Sequence, residues 1–596
     1  MQNVQSVYPL SPTQQAMLVR ILQAPELEEY TEQVCWTVAG DFDAGLFARA
    51  WQRVVDRTPV LRTSFFWEGL EEPLQVVRAR ARVEVSSHDW RGSPDAEARF
   101  AAFLREDRRR GFDLGAVPLT RVALVRVADG EWRVAWSYHH LLLDGWSSSL
   151  AVRELFAVYE ALREGREPAP PPARHFGDFV AWLAARGEGG AEAFWRAYLA
   201  GFEAPTVLAT ERAPDPGAEE VARLRTATVP PELAARLRGL ARRHGVTLNT
   251  LFQGAWGMVL GRFAGDADVV FGAVGSGRPP SFSGVEAMPG MFISTAPVRV
   301  LARPDAQLVP WLKELQAEQT AAREFDSYSV PQLQRWSELP AGERLFDTLF
   351  VFQNLPDIET RGARVAGVEV SGFFRSTHPA QVGHALMLEV VPRDDVELHL
   401  THDASRLDPE AADRLLAHLV ALLEEIAADP ARALSELPSL PAEERRRVLE
   451  EWNATGRPFP REASLHELFA AQALRTPDAP AAIDDGETVG YAELYARAGA
   501  LAAELRARGV RPESRVGILV GRGTGFAVAV LGVLRAGAAY VPLDPAYPAE
   551  RLAYLLADSG ARVLVAEAGL AELAGSFDGE IATVAAPLPP APSPAR

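Results

Sequence analysis

The chain has 596 residues, enough for two or more domains with substantial cores. Its 61 basic and 79 acidic residues leave a net charge of −18, which argues against a nucleic-acid partner, since phosphate binding needs a basic surface. Hydrophobic residues make up 48%, a globular value; there is no run of about 18 uncharged apolar residues to span a membrane, and the single Cys35 excludes an internal disulfide or a cysteine zinc site.

The start, Met1-Gln2-Asn3-Val4-Gln5, lacks the basic and apolar regions of a signal peptide, so a cytoplasmic location is expected. Lys313 is the only lysine, which leaves it alone to carry any Schiff-base chemistry. Ser11 and Pro12 suit the cap and first position of a helix reaching about Leu22. Strands are expected at 34–38 and 60–66, with a helix between them capped by Asp43. A charged helix over 95–110 has an acidic start and a basic end, Arg108-Arg109-Arg110, both suited to the helix dipole. Strands at 119–127 and 132–138 flank the turn Ala128-Asp129-Gly130.

The second of these strands alternates, placing Trp132, Val134, Trp136 and Tyr138 on one face. It leads into His139-His140-Leu141-Leu142-Leu143-Asp144-Gly145-Trp146-Ser147, and a helix with apolar residues at helical spacing follows to Leu162. A strand, a short loop and a helix make a rigid mount for a side chain that must be held in place. A lone buried histidine is ordinarily a core residue with satisfied hydrogen bonds. Two in a row, followed by an Asp that could fix a tautomer, point toward a base or an orienting group. Adjacent strand side chains face opposite ways, so one of the pair reaches a given cavity and the other supports the fold.

A Pro-rich segment, 168–172, reads as a hinge. Phe176-Gly177-Asp178-Phe179-Val180-Ala181-Trp182 then starts a helix. The second half mixes strands at 224–229, 269–274, 292–300, 348–352, 386–391 and 396–401 with helices at 231–244, 248–262, 308–323 and 409–428. Beyond about Ala454, alanine-rich helices alternate with short apolar strands at 515–520, 539–543 and 561–566, the signature of a parallel sheet. The Pro-rich end, 585–594, is expected to be disordered. The expected architecture is α/β throughout.

His139-His140-Leu141-Leu142-Leu143-Asp144-Gly145 resembles the HHxxxDG signature of nonribosomal peptide synthetase condensation domains, of the chloramphenicol acetyltransferase-like superfamily. Further segments resemble that family's motifs in family order: Tyr8-Pro9-Leu10-Ser11-Pro12-Thr13-Gln14-Gln15, Val60-Leu61-Arg62-Thr63-Ser64-Phe65 and the segment opening at Phe176, where Tyr is common. Gly290-Met291-Phe292-Ile293-Ser294-Thr295 follows, with Ser294 where Asn is usual, and then Leu345-Phe346-Asp347-Thr348-Leu349-Phe350-Val351-Phe352-Gln353. The resemblance covers about residues 5–440. Farther on, Val489-Gly490-Tyr491-Ala492-Glu493-Leu494 and Leu534-Arg535-Ala536-Gly537-Ala538-Ala539-Tyr540-Val541-Pro542-Leu543-Asp544 resemble the first core motifs of an adenylation domain. That domain's phosphate loop, its catalytic lysine and a GGxS carrier motif do not follow. Adenylation activity is therefore not expected from this chain, and an unfinished parallel sheet would expose strand edges.

The resemblance implies two chloramphenicol acetyltransferase-like lobes in a V with a central tunnel, at 1–172 and 173–440. A linker at 441–463 and an incomplete adenylation lobe at 464–596 would follow. It implies amide formation between a carrier-bound acyl or peptidyl thioester and a carrier-bound aminoacyl amine. No cofactor or metal is held directly; phosphopantetheine arms of upstream donor and downstream acceptor carriers deliver the substrates, and the remainder of an adenylation domain is a further partner. By the match, His140 is the central catalytic residue and His139 is structural. Asp144 holds the loop through an arginine, with Arg278 the first candidate partner and Arg62 the second. Gly145 permits close approach, and its N–H could bind the developing oxyanion. Trp146, Ser147 and Ser294 are expected at the tunnel wall or substrate, with an N-cap role also open to Ser147. His175, His378 and His384 are expected in loop or core roles, and Glu389 and Asp394 at the solvated surface. An epimerisation domain, which shares HHxxxDG, and a non-catalytic carrier-docking platform are the alternatives.

Overall fold

The computed structural model describes residues 3–23, 30–93, 95–168, 174–187, 189–212, 221–279, 281–340, 342–353, 363–365, 367–375, 384–438, 440–484, 487–575 and 577–584. Most of the Pro-rich 168–172 hinge, His378 and the Pro-rich end lie outside these residues. The chain divides into two compact units, Met1–Glu451 and Trp452–Arg596.

In the first unit, the alternating strand Glu131–His139 lies centrally in a six-stranded sheet, between Thr31–Gly40 and Thr120–Ala128. The face expected from the alternation is buried: Val134, Trp136 and Tyr138 are at most 2% exposed and pack under the helices Ala44–Arg57 and Gly145–Arg163. The opposite face, with Ala135, meets the helix Ala96–Arg110 through Phe100 and Leu104.

A second six-stranded sheet runs in the order Ser294–Leu301, Asp268–Gly275, Thr348–Phe352, Leu386–Pro392, Val396–Asp403, Ala222–Val229. The helices Pro231–His244, Leu248–Ala264 and Pro409–Ala428 cover it. Leu248–Ala264 is apolar on nearly every side, as a helix buried all round must be.

The halves are not separate in sequence. Strand Val368–Arg375, from the second half, pairs antiparallel with Thr31–Gly40 in the first sheet. The first core also takes Phe282, Val285, Met288, Met291 and Phe292 from the second half. A division at 172/173 therefore does not separate the two sheets cleanly.

Several expected boundaries shift for identifiable reasons. The expected strand at 60–66 is a 3-10 turn, Pro59–Arg62, followed by a short strand, Thr63–Phe66; Pro59 fixes the turn geometry. The strand expected from Phe292 begins at Ser294, because the backbone groups of 290–292 bond to the loop at Asp144 rather than to a neighbouring strand. Helices Gly189–Tyr198 and Val330–Trp336 and strands Leu74–Arg78, Glu84–Asp89 and Val368–Arg375 add to the elements expected from the sequence. Glu389, expected at the solvated surface, is half-buried and bonded to Gln353 and His399.

The second unit holds a four-stranded sheet in the order Ala539–Pro542, Arg515–Leu519, Val563–Glu567, Glu580–Val584. Every pairing is parallel, as the alternation of strands and helices predicts. A hairpin, Pro480–Asp484 with Glu487–Gly490, accompanies it.

Candidate active site

Strand parity separates the two histidines. His139 is the last residue of its strand and shares a face with Ser137, toward the Ala96–Arg110 side. It is 5% exposed, its N–H donates to the Leu119 carbonyl at 3.0 Å, and its ring stands edge-on to Phe112 at 6.4 Å. Its Nδ1 accepts the Leu141 N–H at 3.2 Å, so the other nitrogen carries the proton. Burial, and then the neighbouring His140, push its pKa down to about 3, which keeps it neutral.

His140 lies one residue past the strand, where its N–H donates to the Tyr30 carbonyl at 2.7 Å. Its ring is partly accessible, and its Nδ1 is buried with no hydrogen-bond partner among the described residues. The Leu142 N–H closes the turn onto the His139 carbonyl at 3.0 Å, and Gln14 Nε2 donates to the Leu141 carbonyl at 2.8 Å. Gln14 belongs to the first resembling motif, but sequence reasoning does not single it out; its place among the apolar residues of a helix start, fully buried, is the one available signal.

Asp144 caps the helix Gly145–Arg163, accepting the Ser147 N–H at 2.7 Å. Its other oxygen accepts the Phe292 N–H at 3.1 Å, and Arg278 Nη2 reaches both oxygens at 3.3 and 3.4 Å. Both side chains of this ion pair are 3% exposed. Burial pushes the Arg278 pKa down and Asp144 opposes that shift. Arg278 Nη1 also donates to the Met288 carbonyl at 2.9 Å and to that of Val285, and its guanidinium lies 4.0 Å from the Phe292 ring centre. Gly277 lets this arginine approach: at φ +58°, any Cβ there would stand 1.6 Å from the Phe292 carbonyl oxygen.

Arg62, the second candidate partner, is elsewhere. It is buried, and it donates to the carbonyls of Val55 and Arg78 and to Gln5 Oε1, tying down the small sheet of Val4–Pro9, Leu74–Arg78 and Thr63–Phe66. Ser147 is not the cap. It lies inside the helix, and its hydroxyl donates to the Gly290 carbonyl at 2.7 Å while accepting from Gly290 N–H at 2.9 Å and Arg278 Nη2 at 2.7 Å. That fills a hydroxyl's capacity. Trp146 Nε1 donates to the Glu286 carbonyl at 2.8 Å, with the Arg278 guanidinium 5.7 Å from its ring. Gly145 is the first helical residue, at the positive end of the helix dipole, and its carbonyl accepts the Ser148 and Ser149 hydroxyls at 2.9 and 3.1 Å.

Ser294 lies two residues beyond Phe292 and donates to Asp326 Oδ2 at 3.0 Å. Burial pushes the Asp326 pKa up to about 6. A cavity of about 360 Å³ opens nearby, lined by Leu10, Pro12 and Gln15 on one side, Val180 and Leu183 on another, and Tyr328 on a third. The structure thus gathers His139, His140, Asp144, Gly145, Trp146, Ser147 and Arg278 about one loop, sets Ser294 a step along the adjoining strand, and leaves Arg62 out. The adjoining backbone of Gly290 and Phe292 completes the loop's anchorage. Asp347, in the last resembling motif, is structural: it accepts from Arg344 and the Ala385 N–H, both at 3.1 Å, and from Arg406. Among the described residues no helix is long and apolar enough to cross a membrane.

Comparison with known proteins accounts for this arrangement. The condensation domain family model matches residues 4–449, and the AMP-binding enzyme model matches residues 469–590. A linear gramicidin synthase protein of Brevibacillus parabrevis is 40% identical over 577 residues, covering 96% of this chain but 11% of that protein. The chain therefore spans about a tenth of the length of that curated relative. The crystal structure of the nonribosomal peptide synthetase FmoA3 is similar at a TM-score of 0.71 and 27% identity, over 99% of this chain and 62% of that one. A four-domain nonribosomal peptide synthetase bound to AMP and glycine shares the fold at a TM-score of 0.73 and 20% identity, over 98% of this chain and 44% of that one. With its histidine pair, Asp144 and Gly145 on a strand-to-helix loop, and the family match running from residue 4 to residue 449, the chain belongs to the condensation domain family of nonribosomal peptide synthetases.

Proposed function

We propose that the Met1–Glu451 unit forms an amide bond between two carrier-tethered substrates. The amine of an aminoacyl thioester on a downstream carrier attacks the thioester carbonyl of an acyl or peptidyl group on an upstream carrier. The C–N bond forms, the C–S bond breaks, and the amine proton ends on the departing phosphopantetheine thiolate. The observation that carries this reading is His140. Its partly accessible ring is carried on a loop fixed from both sides, by Gln14 at Leu141 and by Arg278 at Asp144.

His140 receives or orients the amine, and the Gly145 N–H, at a helix N-terminus, meets the developing oxyanion. An amine is already a fair nucleophile, so placing it correctly accounts for most of the acceleration; orientation alone can supply several orders of magnitude. The carrier arms reach His140 through a tunnel between two lobes, each built on one six-stranded sheet, with Trp146 and Ser294 toward its wall. Closure against water protects the thioester. Donor and acceptor carriers are the partners, and their phosphopantetheine is delivered rather than resident. Residues 441–463 serve as linker to the adenylation region at 464–596. A cytoplasmic setting, where thioester-loaded carriers are available, suits a chain with one cysteine.

The test mixes the full chain with an acyl-loaded donor carrier and an aminoacyl-loaded acceptor carrier and follows the acceptor by intact mass. Product on the acceptor is expected, and His140→Ala should lose it while both carriers still bind. Unchanged yield in His140→Ala would refute the role given to that residue. Racemised donor in the absence of acceptor would instead indicate an epimerase.

A further inference from the structure

Behind the histidine pair lies a buried polar network that the proposed reaction does not use. Arg121 and Gln33 stand directly across from Ser137 on the two neighbouring strands. Asp107, from the helix Ala96–Arg110, joins all three: it accepts from Arg121 Nε, from the Ser137 hydroxyl and from Gln33 Nε2, the last at 2.9 Å. The Arg121 and Asp107 side chains are 8% and 10% exposed. Arg121 Nη1 donates to the Gly111 carbonyl at 2.7 Å, and its guanidinium carbon lies 4.2 Å from the centre of the Phe112 ring. Arg121 therefore fastens both the backbone just before Phe112 and the ring itself. Phe112 in turn stands edge-on over His139. Phe112 is half-buried and His139 buried, so the phenyl ring, with Arg121 over its face, is a cover between the imidazole and solvent.

The cover matters because of what His139 does with Nδ1. That nitrogen accepts the Leu141 N–H, and the bond helps close the turn 139–142 on which His140 is carried. A protonated imidazole donates from both nitrogens and cannot accept. It would also place a cation next to His140. We propose, building on the reading of His140 as the reacting histidine, that Phe112, clamped by Arg121, is a positioning residue: it shields His139 from water so that Nδ1 stays an acceptor for the Leu141 amide. The charged or titratable groups on the packed elements are His140 on the turn, Arg121 on the strand Thr120–Ala128, and Asp107 and Arg108 on the helix. Asp107 is bonded to Arg121, and Arg108 donates to Gln33 Oε1 at 3.1 Å. Among the described residues no carboxylate bonds the His139 ring to favour its cation. Burial already holds His139 near a pKa of about 3.

The experiment measures kcat for product formation by the full chain from pH 8 to 5.5, for wild type, Phe112→Ala and Phe112→Leu, always as the ratio of variant to wild type. The ratio cancels titrations common to all three, including that of the acceptor amine. Solvent access returns His139 toward an ordinary histidine pKa of about 6.5, so the Ala ratio should fall about tenfold between pH 8 and 5.5. The Leu ratio, with the cover restored, should stay flat. An Ala ratio independent of pH, or the same fall in Leu, overturns the proposal. A second measurement needs no Phe112 variant: the ring nitrogen shifts of His139 in histidine-labelled chain, assigned by their loss in His139→Gln. They should stay constant from pH 8 to 5.5, and a titrating His139 overturns the proposal even if the Ala variant fails to fold. Wild type that forms no product at any pH would refute the condensation reading, and the ring shifts would still decide this one.

Discussion

Removing the charge of Asp144 while keeping its shape probes what holds the catalytic loop. Asp144→Asn retains a side-chain oxygen able to cap the helix, and Asn caps about as well as Asp. What it removes is the anion facing Arg278, in a pair whose two side chains are each 3% exposed, together with the second oxygen that accepts the Phe292 N–H. Breaking one partner of a buried pair costs about 3–5 kcal/mol when the remaining charge has nothing else. Arg278 retains the carbonyls of Val285 and Met288 and the Ser147 hydroxyl. Part of its desolvation stays offset, so we expect about 2–3 kcal/mol for Asp144→Asn. Arg278→Met alone leaves the carboxylate with two backbone N–H donors, from Ser147 and Phe292, and should cost a similar amount. The double variant buries no lone charge, so its loss should fall short of the sum of the singles by about 2 kcal/mol. The assay is calorimetric unfolding of the full chain, with the transition of each unit fitted separately, since a chain of two units need not unfold in one step. Product formation should fall at least tenfold in Asp144→Asn, because the turn bearing His140 is anchored at that end by this residue. Additive destabilisation within about 0.5 kcal/mol, or an undiminished rate, would refute the view that the ion pair fixes the loop.

Gly277→Ala should cost more than about 3 kcal/mol and abolish product, since its Cβ would overlap the Phe292 carbonyl at a positive φ; soluble yield and Tm check the first, intact-mass assay the second. Asp326→Asn should stabilise the protein at pH 8 by about 1–2 kcal/mol. The sign follows from a folded-state pKa of about 6, raised above the ordinary carboxylate value, so the folded form binds protons more readily than the unfolded one. Wild type therefore loses stability as pH rises through about 4 to 6, whereas Asn carries no such penalty. Denaturation at pH 8 and pH 4 tests this; an advantage that is the same at both would show that charge is not the cause.

Local periodicity is enough to find the loop and its mount. The alternation of Trp132, Val134, Trp136 and Tyr138 sets the strand and its buried face, and parity then sends His139 to the opposite side. Asp144 and Arg278, 134 residues apart, meet as the family resemblance implies. What local reasoning cannot reach is set by distant partners. Ser147 follows an Asp-Gly turn and has good capping chemistry, but Asp144 occupies the cap and the Gly290 backbone takes the Ser147 hydroxyl. Arg62 sits in a resembling motif, yet the 3-10 turn begun at Pro59 aims it at Val55, Arg78 and Gln5. Strand Val368–Arg375 joins a sheet whose other members, apart from its own hairpin partner Ala363–Val365, end more than two hundred residues earlier in the chain, and no window of sequence holds that pairing. The network at Asp107 is hidden for the same reason: helix, strand and cross-strand partners are local, but their meeting behind His139 is not.

The pattern of filled and unfilled hydrogen bonds argues for positioning over nucleophilic catalysis. Ser147, two residues past the motif, gives its hydroxyl proton to Gly290 and accepts two further bonds, leaving no lone pair to attack a thioester. The Nδ1 of His139 is engaged by Leu141. Asp144 is divided between two backbone amides and Arg278. On this loop only the ring of His140 keeps a buried nitrogen without a bonded partner among the described residues. On the proposed reading no acyl-enzyme is needed, and Ser147, His139 and Asp144 are each already engaged. The imidazole of His140, carried on a turn fixed at Leu141 and at Asp144, is on the same reading the group against which an amine and a thioester brought by separate carriers are aligned. On that reading rate depends on how firmly the turn 139–145 is fixed, so Asp144 and Arg278 at one end and Phe112 and Arg121 at the other should set it without touching substrate.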